Sequence, residues 1–212
     1  FKFTELIQSE TKRIADLVSK FEIFGDIGPL RKSSMNIHDV LEKTKELAKA
    51  GFASHVRFYD DYDPSLPNIN GHFDQLTQVF LNIFKNSAEA LPAAGGFIKI
   101  ITSYRSGIKI LTMNNSVINL PISISITDNG KGVSSEIVNK IFEPFISTKK
   151  VGSGLGLALV SKIIADHGGY IDCLSENGKT VFRICLPLGE KDLPEPENYE
   201  IHSRLLSKTN RN

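Results

Sequence analysis

The 212 residues are 41% hydrophobic and 23% charged, enough apolar material for one fair-sized domain with an attached element. A formal net charge of +1 excludes a strongly basic surface for nucleic acid or membrane, so any anionic ligand must be held by a local site. No run of about 18 apolar residues is present to cross a bilayer, and Cys173 and Cys185, outside any C-x-x-C pair, read as buried thiols of a reducing cytoplasm.

The chain opens on Phe1-Lys2-Phe3-Thr4, without initiator Met or signal pattern, and reads as the cut end of something longer. Phe3, Ile7, Glu10, Ile14, Leu17, Phe21 and Phe24 recur with the alternating four- and three-residue step of a bundle helix. That makes 1–25 one helix of a dimerisation bundle; an amphipathic helix lying on the domain is the plainer alternative. Gly25 and Gly28-Pro29 end it and open a linker over 26–36.

The second unit is expected over 37–188. Helices are predicted at 38–50, 72–91, 134–141 and 155–166, with stops at Gly51, at Pro92 with Gly95-Gly96, and at His167-Gly168-Gly169. Strands are predicted at 56–59, 97–104, 108–112, 121–127, 170–175 and 180–186, with Ser106-Gly107 joining the second and third. The interleaving predicts an α+β fold with helices layered on a mostly antiparallel sheet. Residues 189–212, mixed in charge and poor in large apolar side chains, read as a flexible tail.

Four constellations carry chemistry. On the helix at 72–91, Gln78, Asn82 and Asn86 recur every four residues beside an apolar face, so they stack along one side. Asn is a poor helix former, and its carbonyl oxygen suits Mg²⁺, although hydrogen-bonded surface amides would also account for the pair. Next, Asp128-Asn129-Gly130-Lys131-Gly132 follows an apolar strand. Its carboxylate can accept from an exocyclic amine, and Gly130 and Gly132 allow a flat ligand close to the backbone. The third, Gly152-Ser153-Gly154-Leu155-Gly156-Leu157, feeds straight into a helix and suits a phosphate chain. The fourth, Phe142-Glu143-Pro144-Phe145 with Lys149-Lys150 beyond, reads as a loop pinned by two Phe side chains whose lysines can reach phosphate oxygens. Each alone also fits an ordinary turn, hinge or connecting loop.

Their order, Asn-bearing helix, Asp-Gly-Gly turn, Phe-anchored loop and Gly-rich helix start, resembles the N, G1, F and G2 boxes of the histidine kinase catalytic domain, in the superfamily of gyrase, Hsp90 and MutL. Asn36-Ile37-His38-Asp39, Asp63-Pro64-Ser65-Leu66-Pro67, Gln78 through Ala90 and Asp166-His167-Gly168-Gly169 resemble the nitrogen-regulation sensor kinases in particular. The resemblance implies a two-layer α/β sandwich of the Bergerat ATP-binding type and the cofactors ATP and Mg²⁺. It implies Asp128 on the adenine amine, with Gly130, Gly132 and Leu157 around the nucleotide. It further implies Asn86 on the metal, and Gly152, Gly154, Gly156 and Lys149 on the phosphates. As partners it implies an NtrC-like response regulator, a PII-type signal protein and homodimerisation.

Two departures stand out. Glu89 occupies a position that is basic in many such kinases. The acceptor motif, His followed by an acid and then a proline, is absent: of His38, His55, His72, His167 and His202 only His38 precedes an acid, and it reads as a structural residue at a helix start. Rival readings are a gyrase- or MutL-type ATPase, a nucleotide-binding module without transfer, and a serine kinase of the anti-sigma kind. The ATPases carry a general-base Glu four residues before the metal-binding Asn; this chain has Asn82 there, which cannot act as a base and so favours a kinase.

Overall fold

A computed structural model describes residues 31–92, 95–111, 117–147, 153–176 and 178–189, together with Phe3, Thr4 and Thr11. The helix expected over 1–25 therefore lies almost wholly outside the described residues, and so does the tail beyond Gly189. The described elements run β1 (Ser33–Met35), α1 (Ile37–Ala50), β2 (Arg57–Asp61), β3 (Ile69–Gly71), α2 (Phe73–Ala90), β4 (Phe97–Tyr104), β5 (Lys109–Leu111), β6 (Val117–Asn119), β7 (Ile122–Asp128), a 3₁₀ turn (Val138–Lys140), α3 (Gly156–Asp166), β8 (Tyr170–Glu176) and β9 (Lys179–Leu186). Five strands form one sheet in the order β2-β4-β7-β9-β8, with β2 parallel to β4 and every other pair antiparallel.

The α+β expectation holds, and the reason is the two-residue period of the strands. Ile98 and Ile100 on β4, Ile122, Ile124 and Ile126 on β7, and Phe182, Ile184 and Leu186 on β9 are all buried, and together they build one face of the sheet. Onto that face the helices lay Ile37, Val40 and Leu41 of α1, Leu76, Val79, Phe80, Ile83 and Phe84 of α2, and Leu159, Val160, Ile163 and Ile164 of α3. Phe80 and Phe84 are fully buried; burial of that kind contributes about 1.5–3 kcal/mol for each side chain. Asn36 caps α1 by accepting from the His38 N–H at 2.9 Å.

The structure departs from the sequence reading in four places. Ser33–Met35, inside the expected linker, is a strand paired with Ile69–Gly71, an element the sequence reading lacked. The segment after Ser106-Gly107 does not pair with β4; Lys109–Leu111 pairs with Val117–Asn119 in a separate ribbon. The helix expected at 134–141 is a run of turns holding only a three-residue 3₁₀ segment. Its start, Ser134-Ser135, and its lack of a continuous apolar stripe favour turns over an α-helix. Lastly, Phe145 does not insert into the core: it is 66% exposed, whereas Phe142 does pack against the core cluster.

His38 behaves as the structural residue expected. Its ring stacks on Tyr62 with centroids 4.7 Å apart, and its Nε2 lies 2.9 Å from Thr102 Oγ1. Burial lowers its pKa, against the opposing pull of Asp39, Asp63 and Glu42. Cys173 and Cys185 are free, and burial pushes the Cys173 thiol up to about 12, which leaves it protonated and unreactive at neutral pH. Among the described residues no helix is long and apolar enough to cross a membrane.

Candidate nucleotide-binding site

A cleft of about 270 Å³ opens between the C-terminal half of α2, the end of β7 and the start of α3. Its floor is Asp128. Along β7 the core-facing positions run Ile122, Ile124, Ile126 and then Asp128, so a carboxylate takes the last place on an apolar face. It is 1% exposed. Ser87 Oγ donates to one of its oxygens at 2.7 Å and the Gly130 N–H to the other at 2.9 Å. Burial raises its pKa, offset in part by these two donors and by Thr180. A carboxylate retained at such a cost, with an oxygen edge toward a cavity walled by Val133, Ile137, Ile141, Leu157 and Phe182, fits a flat ring bearing an amine.

The loop after β7 is fixed around this floor. Asn129 Oδ1 accepts from the Phe97 N–H at 2.8 Å, and the Lys131 N–H donates to the last carbonyl of α2, Ala90 O, at 3.0 Å. Gly130 has a different reason from the one its spacing suggested. A Cβ there would lie 2.8 Å from Ala90 Cβ, Ala90 O and Asp128 Oδ1, so the glycine lets the loop press against α2 and the carboxylate. Gly132, with φ +80°, does line the cleft.

Asn82 and Asn86 both line the same wall, with Lys85 between them. Asn82 Nδ2 donates back to Gln78 O at 3.0 Å, which turns its Oδ1 toward the first residue of α3; that oxygen is 3.4 Å from where a Cβ on Gly156 would sit. Gly154, Gly156 and Leu157 bring the loop before α3 and its first turn to the same cleft. A helix N-terminus bordering the cleft is where an anionic chain extending from the ring would be favoured. Lys149 and Gly152 lie outside the described residues.

The rim is closed by two residues in the left-handed region. Phe145, with φ +68°, donates its N–H to Gly154 O at 3.0 Å, and Gly154 has φ +67°. A Cβ on Gly154 would sit 2.5 Å from the Phe145 carbonyl carbon and 2.6 Å from its Cα, so the two backbones meet only because position 154 has no side chain. Gly154→Ala is therefore expected to open this contact and weaken triphosphate binding about tenfold, while the melting temperature falls by no more than a few degrees because the segment lies outside the core. Calorimetry and a thermal melt check both halves.

Ser87, Thr180, Lys85 and Lys131 also line the cleft, and the sequence reading gave none of them a role there. Ser87 had a signal, since it falls four residues after Ile83 on the buried stripe of α2, where a hydroxyl needs a partner. Thr180 had none, because only the pairing of β7 with β9 sets it opposite Asp128.

A buried acid beneath a cleft walled by an Asn-bearing helix and a glycine-rich helix start defines an ATP-binding domain of the Bergerat class. The chain belongs to the family described as histidine kinase-, DNA gyrase B-, and HSP90-like ATPase, which matches residues 71–190. Among curated relatives it is 48% identical to the sensory histidine kinase/phosphatase NtrB of Rhizobium leguminosarum bv. phaseoli, over 87% of this chain and 49% of that one. It is 33% identical to NtrB of Escherichia coli O157:H7, over 88% of this chain and 52% of that one. The chain thus spans about half the length of the curated relatives it matches. Among solved structures, the catalytic domain of histidine kinase ThkA is 25% identical with a TM-score of 0.61, covering 76% of this chain and 99% of that one. Full-length ShkA in complex with AMPPNP superposes with a TM-score of 0.70 at 23% identity, over 89% of this chain and 38% of that one, a likeness of fold alone.

Proposed function

We propose that this chain is the ATP-binding catalytic part, 37–188, of a sensory histidine kinase of the NtrB type, acting in nitrogen regulation. The observation that supports the kinase reading over a hydrolase is the side chain at position 82. It lines the cleft four residues before Asn86, on the same wall, and it is an amide with no basic oxygen. Water in this cleft therefore has no carboxylate at that position to deprotonate it. An imidazole nitrogen needs no such help, because its lone pair is already a nucleophile at neutral pH.

In this reading Asp128 accepts from the adenine amine, and Leu157 packs against the ring with Gly130 and Gly132 shaping the loop beside it. Asn86 is the protein ligand for Mg²⁺, and Asn82 orients the first turn of α3 beneath the phosphates. Gly152, Gly154, Gly156 and Lys149 complete the phosphate end. Bound Mg²⁺ would neutralise charge that develops on the phosphate oxygens during transfer. The acceptor histidine comes from outside this domain. His38 is committed to Tyr62 and Thr102, and His167 is buried.

The partners follow from the relatives. The structure of ThkA in complex with the response regulator TrrA, which superposes on 91% of this chain with a TM-score of 0.68 at 22% identity, supports a response regulator here. For an NtrB-like chain that regulator is of the NtrC kind, with a PII-type protein as modulator and a homodimer, built through residues 1–25, as the working state. The deciding experiment mixes this chain with ATP, Mg²⁺ and a separate histidine-bearing acceptor domain. Acid-labile phosphate on the acceptor is the expected result. Vigorous ATP turnover with no transfer to any histidine would replace the kinase by an ATPase.

A further inference from the structure

The two helices that flank the cleft are joined at their other ends by a single side chain. His167, 3% exposed at the C-cap of α3, has Nδ1 2.7 Å from Ile163 O, while its Nε2 is 3.0 Å from the backbone N of His72, the residue that begins α2. A carbonyl can only accept and a backbone N–H can only donate. The ring must therefore carry its proton on Nδ1 and keep Nε2 bare, the one neutral tautomer that satisfies both. The fit is tight: a Cβ on Gly71, the last residue of β3, would lie 3.3 Å from the His167 ring.

The segment that enters the domain is tied to the same place. Lys32 Nζ donates to Asp166 O, the last carbonyl of α3, at 2.6 Å. Immediately after it, β1 pairs with β3 in the register Ser33 to Gly71. The entering chain thus holds the end of α3 directly and, through β3, the start of α2. The other end of α3 is Gly156, eleven residues and about 16 Å away on the rim of the cleft. A rigid helix shifted at one end shifts at the other, so the staple sets where the first turn of α3 stands against Asn82.

We propose that His167 is a positioning residue that passes the placement of the entering segment, Lys32 to Met35, to the phosphate end of the cleft. The proposal rests on the reading of that cleft as a nucleoside triphosphate site. It commits the protein to a neutral imidazole at 167. Among the described residues the titratable or charged groups facing it are Lys32 and His72, which lower its pKa, and Asp166, which raises it; burial lowers it most. Since the folded value lies below the ordinary 6.5, the stability it contributes is present above that pH and is lost as pH falls from there toward the folded value.

Two variants test it. His167→Ala removes the staple; His167→Gln keeps a donor and an acceptor but cannot titrate. In the ligand-free chain, His167→Ala should speed hydrogen exchange in β1 and the first turn of α3 and leave β7 and β9 unchanged. It should weaken a non-hydrolysable ATP analogue about tenfold and adenosine less than twofold, because adenosine is held by the sheet residue Asp128. His167→Gln should restore both. As pH falls below the ordinary 6.5 toward the folded value, the wild-type preference for triphosphate over adenosine should fall more steeply than in His167→Gln, the ligand's own titration being common to both. Exchange that quickens equally through the sheet, equal losses for the two ligands, or identical pH profiles would make His167 an ordinary core residue. Failure of the wild-type chain to bind any triphosphate would instead overturn the nucleotide reading, and exchange in β1 and α3 would still decide on the staple.

Discussion

Asp128→Asn is expected to lose nucleotide and keep the fold. In the carboxylate, one oxygen accepts from the Gly130 N–H and the other from Ser87 Oγ. An amide keeps the first bond through its carbonyl, and the Ser87 hydroxyl can rotate to accept from the new NH₂. What changes is the edge offered to the ligand, where an acceptor becomes a donor facing the donor amine of adenine. A hydrogen bond to a charged group contributes about 1.5–3 kcal/mol, and opposing donors add to the loss, so affinity should drop about 100-fold or more. Stability moves the other way. Burial raises the Asp128 pKa, so the ionised form costs the fold in full at every pH above the folded value, and that cost is relieved as pH falls from the folded value to the ordinary 3.8. Asn carries no charge, so the variant should melt no lower than the wild type at neutral pH. For the same reason wild-type affinity should weaken on acidification at a higher pH than an ordinary carboxylate would give. Calorimetry and thermal melts across pH test these together, and an affinity within threefold of wild type would refute the assignment of Asp128.

The sequence made legible what repeats or breaks a pattern locally. The two-residue alternation of β7 and the four-residue step of Gln78, Asn82 and Asn86 are periodic signals, and each places its side chains on one face without knowledge of the fold. Asp128 was visible as a carboxylate ending an apolar strand. Features that depend on who sits opposite whom were not visible. Thr180 beside Asp128, Ala90 against Gly130 and Phe145 against Gly154 are meetings of segments 9 to 52 residues apart. The strand Ser33–Met35 was missed because two exposed serines and one half-buried methionine are too short a run to show an alternation; pairing with Ile69–Gly71 makes them a strand. Phe145 was misjudged for a related reason. Two aromatics around a proline suggest a pair of anchors, but a backbone turned to φ +68° by its contact with Gly154 points the second outward.

Asn86→Ala should separate binding from chemistry. Asn86 is only half-buried on the cleft wall, so its truncation leaves the apolar stripe of α2 intact and should cost little stability. On the proposed reading Asp128, on the sheet, keeps its donors and should still hold adenosine. The proposed metal site is different: Mg²⁺ takes few protein ligands and keeps several waters, so a site offering one amide oxygen would lose its whole protein contribution when that amide goes. Transfer to an acceptor histidine supplied in trans should fall about 100-fold or more, with adenosine affinity changed less than threefold. Asn82→Glu is the counterpart. It places a carboxylate four residues earlier on the same wall, beside the first turn of α3, where the helix N-terminus favours negative charge. That carboxylate can orient and deprotonate water, so hydrolysis should rise about tenfold above the background rate of the unmodified chain. An Asn86→Ala chain that transfers as fast as wild type would remove Asn86 from the metal. Rapid hydrolysis by the unmodified chain, unchanged in Asn82→Glu, would show that position 82 does not decide between water and histidine as the nucleophile.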